Sequence, residues 1–282
     1  MNLSNDNVIH VIDGEVEYLQ FKKLLEYPEI KHAFGIKPLD YRAHGENNKE
    51  VPQAYSKLLK SLGIDYNSLV RPGQKHTNNV QVISQKENID APDYNLKYLD
   101  ETDGLITNKS NITLASTNAD CIVLLFFDPV KKVIASVHSG WRGTFKKISQ
   151  VTIDKMKSEF NCNPQEIIVC ICPSIRACHF EVEDDVKEEC ENLFKYTGEI
   201  DEIIRQGEIK EGKQKYFVDT ILITKILLEE KGVLPENIID SEICSMCSSE
   251  KIHSRRADGV EYGLGAGVIG IQKRGRFSFL KK

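Results

Sequence analysis

Three segments that carry cysteine or histidine lie at the ends of apolar stretches of the sequence. Gln74-Lys-His76 precedes one stretch, Asp120-Cys121 precedes Ile122–Phe127, and His138 follows Val133–Val137. Two imidazoles and one thiolate are a suitable ligand set for zinc, and three protein ligands leave the fourth position open for water or a substrate. The spacings of 45 and then 17 residues match no local zinc motif, so the fold would have to assemble the site.

These residues also have simpler interpretations, which the sequence leaves open. A cysteine at the start of a strand usually packs in the core, and a histidine at the end of one usually bonds a backbone carbonyl. Without a metal, Cys121 as nucleophile and His138 as its base would form a hydrolase site. Gly140 and Gly143 are turn glycines before a helix, and they would also let backbone amides approach an anion.

A second metal-binding pattern occurs later in the chain. His179-Phe-Glu181 and Cys244-Ser-Met-Cys247 partly match the H-x-E and P-C-x-x-C segments of zinc nucleobase deaminases, but no proline precedes Cys244. The two cysteines with His253 also suit a structural zinc knuckle, a redox pair or a plain turn. We predict that Cys244 and Cys247 are not the catalytic ligands.

Strands have to position these residues, and several segments are short, β-branched and bounded by turn residues. They are Val80–Ile83, Ile112–Ser116, Ile122–Phe127, Val133–Val137 and Ile167–Cys172. The run Ile122–Phe127 is apolar throughout, which indicates a strand buried on both faces. We expect it to form a hairpin with Val133–Val137, which would bring Cys121 and His138 to the same end of adjacent strands, where His76 completes the triple.

Helices are predicted at Val51–Leu62, Thr144–Phe160, Asp184–Tyr196 and Val218–Lys231. In the last of these, apolar residues recur at helical spacing and Gly232 is a stop signal. The helices do not alternate strictly with the strands, which is typical of an α+β fold. No repeat or linker divides the sequence, so we predict a single domain over residues 1–282.

The composition is that of a globular protein. The 282 residues include 37 lysines and arginines against 42 aspartates and glutamates, a net charge of −5, which argues against broad electrostatic binding of nucleic acid or an anionic membrane. No apolar run approaches the roughly 18 residues of a spanning helix, and residues 1–12 lack the features of a secretory signal. We expect a cytoplasmic protein whose eight cysteines are reduced.

Several segments of the sequence resemble the YfiH family. They are Asp103-Gly-Leu-Ile-Thr, Thr117-Asn-Ala-Asp-Cys121, His138-Ser-Gly-Trp-Arg-Gly143, Cys172-Pro-Ser-Ile-Arg-Ala-Cys178-His-Phe-Glu181-Val and the region from Cys244 to Ser254-Arg-Arg256. They follow the family's order from about residue 74 to residue 270. Members carry the names polyphenol oxidase (laccase domain protein), peptidoglycan editing factor and purine nucleoside phosphorylase. The family's N-terminal glycine-rich stretch is absent near Phe34-Gly35-Ile36.

The resemblance implies a zinc site built from His76, Cys121 and His138, with copper as an alternative occupant, in a domain of packed mixed β-sheets flanked by helices. It implies phosphorolysis of adenosine, inosine and methylthioadenosine, with adenosine deamination as a further reaction. A copper-dependent polyphenol oxidase and a metal-free Cys/His hydrolase, including a peptidoglycan-editing enzyme, remain alternatives. The expected partners are a purine nucleoside and phosphate, with no nucleic acid, membrane or protein partner indicated.

Catalytic roles follow for residues beside the expected metal. Cys121 and His138 are predicted to be catalytic as well as metal-binding. Asp120, next to Cys121, is predicted to transfer a proton or orient a ligand, and the alternative for this carboxylate is capping of a turn. Glu181 is a further acid–base candidate.

Positive charge for phosphate has to be local, because the chain as a whole is acidic. Arg142 follows His138 by four residues across a turn that opens a helix, so we expect it near the metal. The paired arginines Arg255 and Arg256 are the other phosphate candidates, and Gln74 is assigned to substrate binding. Neighbours in a strand point to opposite faces, so an extended segment would direct only one of the pair, expected to be Arg255, into the pocket.

Overall fold

The computed structural model describes residues 1–43, 53–84, 99–194 and 200–272. In chain order, the strands within these ranges are β1 (Val8–Asp13), β2 (Val16–Phe21), β3 (Ile30–Gly35), β4 (Leu69–Val70), β5 (Val80–Val82), β6 (Gly104–Thr107), β7 (Thr113–Asn118), β8 (Ile122–Asp128), β9 (Val133–Ser139), β10 (Ile168–Ile171), β11 (Glu181–Val182), β12 (Ile204–Lys210), β13 (Lys213–Val218), β14 (Ile238–Asp240) and β15 (Gly265–Ile271).

The helices of the described residues are α1 (Lys22–Leu25), α2 (Gln53–Ser61), α3 (Trp141–Phe145), α4 (Ile148–Phe160), α5 (Asp184–Phe194), α6 (Ile200–Ile203), α7 (Thr220–Glu230) and α8 (Arg255–Asp258). Within the described ranges, none of them combines the length and the apolar character that crossing a membrane requires.

The strands form three sheets. The first has the order β1-β2-β3-β15-β7-β4, the second has the order β14-β10-β8-β9-β6-β5, and the third, smaller sheet has the order β11-β13-β12. Most neighbours are antiparallel, but the pairs β4–β7, β5–β6 and β10–β14 are parallel. Both six-stranded sheets are therefore mixed.

The apolar strand β8 explains how the layers pack. Its side chains alternate between two hydrophobic clusters, as the period of two in a strand requires. Val123 and Leu125 lie in one cluster with Leu114 of the first sheet, and Leu124 and Phe126 lie in another with residues of α4 and α7. The first sheet, the second sheet and these helices are thus successive layers, and α2 covers the other face of the first sheet.

The expected α+β class, with packed mixed sheets and flanking helices, is confirmed. The predicted hairpin is confirmed as β8 and β9, with Val123 paired to His138. The predicted helices at Val51–Leu62 and Asp184–Tyr196 correspond to α2 and α5, although residues 51, 52, 195 and 196 lie outside the described residues. The division of the chain into one domain stays a prediction.

One predicted helix is wrong in its bounds. The segment Thr144–Phe160 forms two helices, α3 and α4, and α3 begins at Trp141. Lys147 separates them in a left-handed conformation, with a φ of 59°, which interrupts the regular helical bonding. Strands β1 to β4, β6, β14, β15 and the third sheet were not among the predicted strands.

Asp240 at the end of β14 connects three parts of the fold. Its buried carboxylate accepts two hydrogen bonds from the guanidinium of Arg176, at 2.8 and 2.9 Å, and lies 2.9 Å from Lys225 Nζ of α7. Burial alone would raise the pKa of Asp240, but the hydrogen bonds and charge of Arg176 outweigh burial and hold that pKa below its usual range. The segment after β10, β14 and α7 are therefore joined at one carboxylate.

Replacing this carboxylate tests that connection. Asp240→Asn should lower the free energy of unfolding by about 2 kcal/mol, because Arg176 loses charge-assisted hydrogen bonds. Asp154→Asn, which breaks the exposed ion pair with Lys231, is the matched control and should cost about 0–1 kcal/mol. Urea denaturation measures both values, and equal losses would contradict the assignment.

The same pair predicts a pH dependence. The pKa of Asp240 is depressed by folding, so its contribution is present above the unfolded pKa of about 3.9 and is lost as the pH falls through the lower folded pKa. The stability difference between wild type and Asp240→Asn should therefore be constant from about pH 7 to pH 5 and shrink below about pH 4. A difference that grows on acidification would contradict this account.

Candidate metal centre and anion pocket

The hairpin and one loop bring three metal-binding side chains together. Cys121 directly precedes β8, His138 lies near the end of β9, and His76 is in the loop between β4 and β5. Their ligand atoms all lie within 4.8 Å of one another, and Cys121 Sγ is 3.9 Å from His76 Nε2. The structure therefore places the three residues of the predicted site in one cluster, called the metal triad below.

The carboxylate of Asp103 holds the loop of His76 against the strand of His138. It accepts hydrogen bonds from the backbone N–H groups of Lys75, His76 and Thr77 at 2.8 to 3.1 Å and from the Thr77 hydroxyl at 2.7 Å. Its Oδ1 lies 2.8 Å from His138 Nδ1. Because Nδ1 of His138 faces Asp103, its Nε2 is left for a metal, and the carboxylate fixes the orientation of the ring.

The ionisation of these groups is coupled to their contacts. Burial favours the neutral forms, but hydrogen bonds and charges outweigh burial in each case. The bonds from His138 and Thr77 lower the pKa of Asp103 to about 2, and those of Asp103 and Cys121 raise the pKa of His138 to about 9. The bonds of both histidines lower the pKa of Cys121 to about 6, so the sulfur is a thiolate near neutral pH, the form that binds metals.

Gly140 leaves the space that the triad needs. A Cβ at this position would lie 2.5 Å from His76 Cδ2 and 3.2 Å from Cys121 Sγ. The φ of Gly140 is −64°, an angle that any residue adopts, so the requirement for glycine is steric.

The donor set of the triad fits one zinc ion with an open position. Two histidines and one cysteine are also the equatorial ligands of a blue-copper site, so a single copper ion is the alternative occupant of the triad. A multi-copper centre does not fit the described residues, because their other histidines are engaged elsewhere: His10 with Glu17, His32 with the amide of Phe21, His253 with the carbonyl of Leu39, and His179 in a separate cluster.

The triad opens into a cationic pocket of about 440 Å³, a volume within the range of small-molecule sites. The charged residues among its described lining are Arg42, Arg71, Lys75, Arg255 and a single carboxylate, Asp100. The guanidinium groups of Arg42 and Arg255 lie 4.2 and 5.8 Å from the ring of Tyr262. Arg42 Nη2 is buried without a hydrogen-bond partner among the described residues. Such a pocket favours an anion.

Two of the predicted substrate residues lie in this pocket. Arg255 contributes to the lining, as expected, although it belongs to helix α8 rather than to a strand. Gln74 also lines the pocket, but its amide bonds the backbone of Thr117 in both directions, each at 2.8 Å. Gln74 therefore braces the loop against β7, and its role in binding substrate stays a prediction.

The other predicted residues lie elsewhere. Arg142 stacks on Trp141, 4.2 Å from the ring, and lines a separate cavity with Phe145 and Glu189. Arg142 is thus not among the described residues that line the pocket of the triad, and its expected role near the metal as a phosphate ligand stays a prediction. Arg256 donates to the backbone oxygens of His179 and Glu181, each at 3.1 Å.

Asp120 and Glu181 have bonding partners of their own. The carboxylate of Asp120 accepts hydrogen bonds from the hydroxyls of Ser245 and Ser254 at 2.6 and 2.7 Å and from the amide of Arg256 at 2.7 Å. This is the arrangement that the capping alternative expects, and the proton-transfer role stays a prediction. Glu181 is paired with Lys210.

Three functional residues had not been identified from the sequence. Asp103 directly precedes Gly104, the first residue of β6, but its partners come from a loop 26 to 28 residues earlier. Arg42 and Arg71 belong to no local motif, and only the packing of their segments around the pocket brings them beside Arg255. The Asp-Gly pair at the start of β6, which pairs with the strand of His138, is the one local signal that was present.

Comparisons with known proteins agree with this description. Residues 38–272 match the family model described as multi-copper polyphenol oxidoreductase laccase. The chain is 29% identical to a human protein named purine nucleoside phosphorylase LACC1, over 79% of this chain and 48% of that protein, so it spans about half of that relative's length. It is 30% identical to purine nucleoside phosphorylase YlmD of Bacillus subtilis, over 81% of this chain and 80% of that one.

A protein named adenosine deaminase RL5, from an unknown prokaryotic organism, is 28% identical over 88% of this chain and 96% of its own length. The solved structure of the hypothetical protein YfiH from Bacillus licheniformis has a TM-score of 0.77 at 23% identity, covering 93% of this chain and 99% of that one. YlmD from Geobacillus stearothermophilus has a TM-score of 0.79 at 20% identity, covering 94% and 100%. The expected YfiH-like fold is confirmed.

Removing the negative charge of Asp103 should weaken metal binding. Asp103→Asn is expected to lower zinc affinity about 10- to 100-fold, because the loop of His76 and the ring of His138 lose their common acceptor. Competition with a chromophoric chelator measures the affinity. Asp100→Asn makes the same chemical change in the pocket lining without touching the triad, and an equal loss in that control would contradict the role of Asp103.

Adding a methyl group at Gly140 should displace His76. Gly140→Ala is expected to lose bound zinc, since the new Cβ would overlap the imidazole, at a stability cost of about 1–3 kcal/mol. Gly267→Ala is the control, because its Cβ would meet Val123 Cγ1 in the core at 2.7 Å. That control should be destabilised yet retain zinc, and full zinc in Gly140→Ala would refute the steric argument.

Proposed function

This chain belongs to the multi-copper polyphenol oxidoreductase laccase family, and we propose that it is a zinc-dependent purine nucleoside phosphorylase. Adenosine, inosine and methylthioadenosine are the proposed substrates, and deamination of adenosine is a second reaction. The observation that carries the proposal is the metal triad opening into a pocket rich in arginine. The names of the relatives YlmD and RL5 support the choice of purine nucleosides and of the two reactions.

Phosphorolysis needs phosphate held beside the sugar. A phosphate oxygen attacks the anomeric carbon, the carbon–nitrogen bond to the purine breaks, and the base leaves with the bonding electrons and takes up a proton. Arg42 and Arg255 supply charge-assisted hydrogen bonds from fixed guanidinium groups. Nη2 of Arg42 has no hydrogen-bond partner among the described residues, which supports an anion at this end of the pocket, because a buried donor without an acceptor is costly.

The triad would serve the other side of the substrate. Zinc, when bound, supplies a Lewis acid and a fixed positive charge at the pocket wall. His138 Nδ1 lies 2.8 Å from Asp103 Oδ1, so that with zinc bound Nε2 of the imidazole would present its lone pair to the metal. Cys121, with its pKa lowered to about 6, provides a thiolate, which makes the set of donors match zinc in charge and softness.

A metal-free Cys/His hydrolase is the second candidate, because Cys121, His138 and Asp103 also form a nucleophile, base and orienting acid. The thiolate character of Cys121 and the His138–Asp103 bond of 2.8 Å favour it. Removal of zinc by a chelator separates the two functions. A hydrolase would keep or gain activity without metal, whereas the phosphorylase would lose it and recover it with added zinc.

Chromatography of adenosine incubated with the zinc-loaded protein tests the proposed function. We expect adenine to form only when phosphate is present, and inosine to form without phosphate. Cys121→Ala should reduce both products to background while the circular dichroism spectrum is retained. If wild type yields neither adenine nor inosine, or if Cys121→Ala yields as much as wild type, the proposal fails.

Separate variants test the phosphate contact. Arg255→Ala should lower kcat/KM for phosphate by up to about fivefold, equivalent to about 1 kcal/mol, because Arg255 is exposed and an exposed charge pair is worth about that much, with a smaller change for adenosine. Arg142→Ala, which makes the same change in the separate cavity, should affect phosphate much less. A larger phosphate defect in Arg142→Ala would instead support the original assignment of that residue.

A further inference from the structure

A second cluster of metal-binding side chains lies apart from the metal triad. Cys178, His179, Cys244 and Cys247 each direct one ligand atom to a common point, and these atoms all lie within 4.8 Å of one another. We propose that these four residues bind a structural zinc ion. The proposal does not depend on the proposed enzymatic function.

The distances within the cluster match tetrahedral zinc. Zinc–sulfur bonds of about 2.3 Å and zinc–nitrogen bonds of about 2.0–2.1 Å, at tetrahedral angles, separate two sulfurs by about 3.8 Å and a sulfur from a nitrogen by about 3.6 Å. Cys178 Sγ is 3.6 Å from Cys244 Sγ and 3.8 Å from Cys247 Sγ. His179 Nδ1 is 3.2, 3.8 and 3.4 Å from the sulfurs of Cys178, Cys244 and Cys247.

Core packing does not explain this arrangement. Cys178 and Cys247 are exposed, whereas Cys244 is buried. Burial of the thiols away from water therefore does not explain why they lie together. All three are free cysteines. Three thiolates and one imidazole form the Cys₃His set of structural zinc sites, in which four protein ligands leave no open position.

Two turns from different parts of the chain supply the ligands. Cys178-His179 follows β10, and Cys244-Ser-Met-Cys247 follows β14. The turns are held side by side by two contacts. Ser174 and Cys244 form a parallel β-bridge, and the Ser245 amide donates a 3.0 Å hydrogen bond to the carbonyl of Ser174. The other two proposed ligands beside the Cys-x-x-Cys pair are thus Cys178 and His179. The alternative of a zinc knuckle completed by His253 is wrong, because the imidazole of His253 bonds the carbonyl of Leu39.

The site has a structural consequence for the pocket. The segment that begins at Cys244 continues to α8, which carries Arg255, and on the way Ser245 and Ser254 bond Asp120 beside Cys121. Arg256 also bonds the carbonyl of His179 at 3.1 Å. A metal at the second cluster would therefore fix the wall of the pocket that carries Arg255.

Metal counting tests the proposal directly. Wild-type protein dialysed after zinc loading should hold two zinc ions per chain by atomic absorption. Cys178→Ser/Cys247→Ser should hold one, and Cys121→Ser, which removes a thiolate from the triad, should also hold one. Equal zinc content in wild type and in the double variant, or a pair of these cysteines oxidised to a disulfide in the native protein, would overturn the proposal.

Cobalt substitution distinguishes the two sites even if the double variant fails to fold. Cobalt bound to Cys121→Ser should show thiolate-to-cobalt charge-transfer absorption. Because a Cys₃His site supplies three sulfur ligands, the intensity per ion should be about three times that of a site with one sulfur ligand. Absence of that absorption in folded Cys121→Ser would overturn the proposal. Its presence, with two zincs in wild type, supports the second site whatever the double variant does.

Discussion

The buried carboxylate of Asp103 joins the loop that carries His76 to the strand that carries His138. A buried charge is costly unless its lone pairs are satisfied, and here three backbone amides, a hydroxyl and an imidazole supply the partners. The loop has little regular structure of its own, and His76 has a positive φ of 59°. Without this acceptor, the loop amides and the imidazole ring would lose the group that sets their positions.

The layers of the fold supply the rest of the site. Strand β8 is apolar and buried on both faces, so burial alone does not set its register with β9; the short turn between Asp128 and Val133 does. That register puts Cys121 next to the end of β9, where Gly140 leaves room for the ring of His76. The second cluster and Asp120 then hold the segment of Arg255 over the same end of the sheets.

The parts of the fold that depend on local pattern could be predicted from the sequence. The apolar run of β8 and the strand candidate Val133–Val137 after it were sufficient to predict the hairpin, and the hairpin was sufficient to bring Cys121 and His138 together. The break in the predicted helix Thr144–Phe160 could not be read locally, since Lys147 adopts a left-handed conformation that its residue type does not favour. The start of α3 at Trp141 was likewise not predicted.

Contacts between distant segments could not be predicted in this way. Arg42 and Arg71 reach the pocket from either side of α2, and no spacing relates them to Arg255. The ligands Cys178 and Cys244 are separated by 66 residues and meet only because their turns are held side by side after β10 and β14. The sequence shows the cysteines and histidines themselves, but which of them lie together depends on the topology of the second sheet.

Anomalous diffraction at the zinc edge, from crystals grown with zinc and phosphate, tests the central claim most directly. That claim is that Asp103 shapes a loop and a strand into one metal centre at the edge of an anion pocket. The account predicts a zinc peak about 2.0–2.3 Å from His76 Nε2, Cys121 Sγ and His138 Nε2, with Asp103 still bonded to His138 Nδ1. A crystal in which zinc binds elsewhere while these three side chains hold no metal would contradict it.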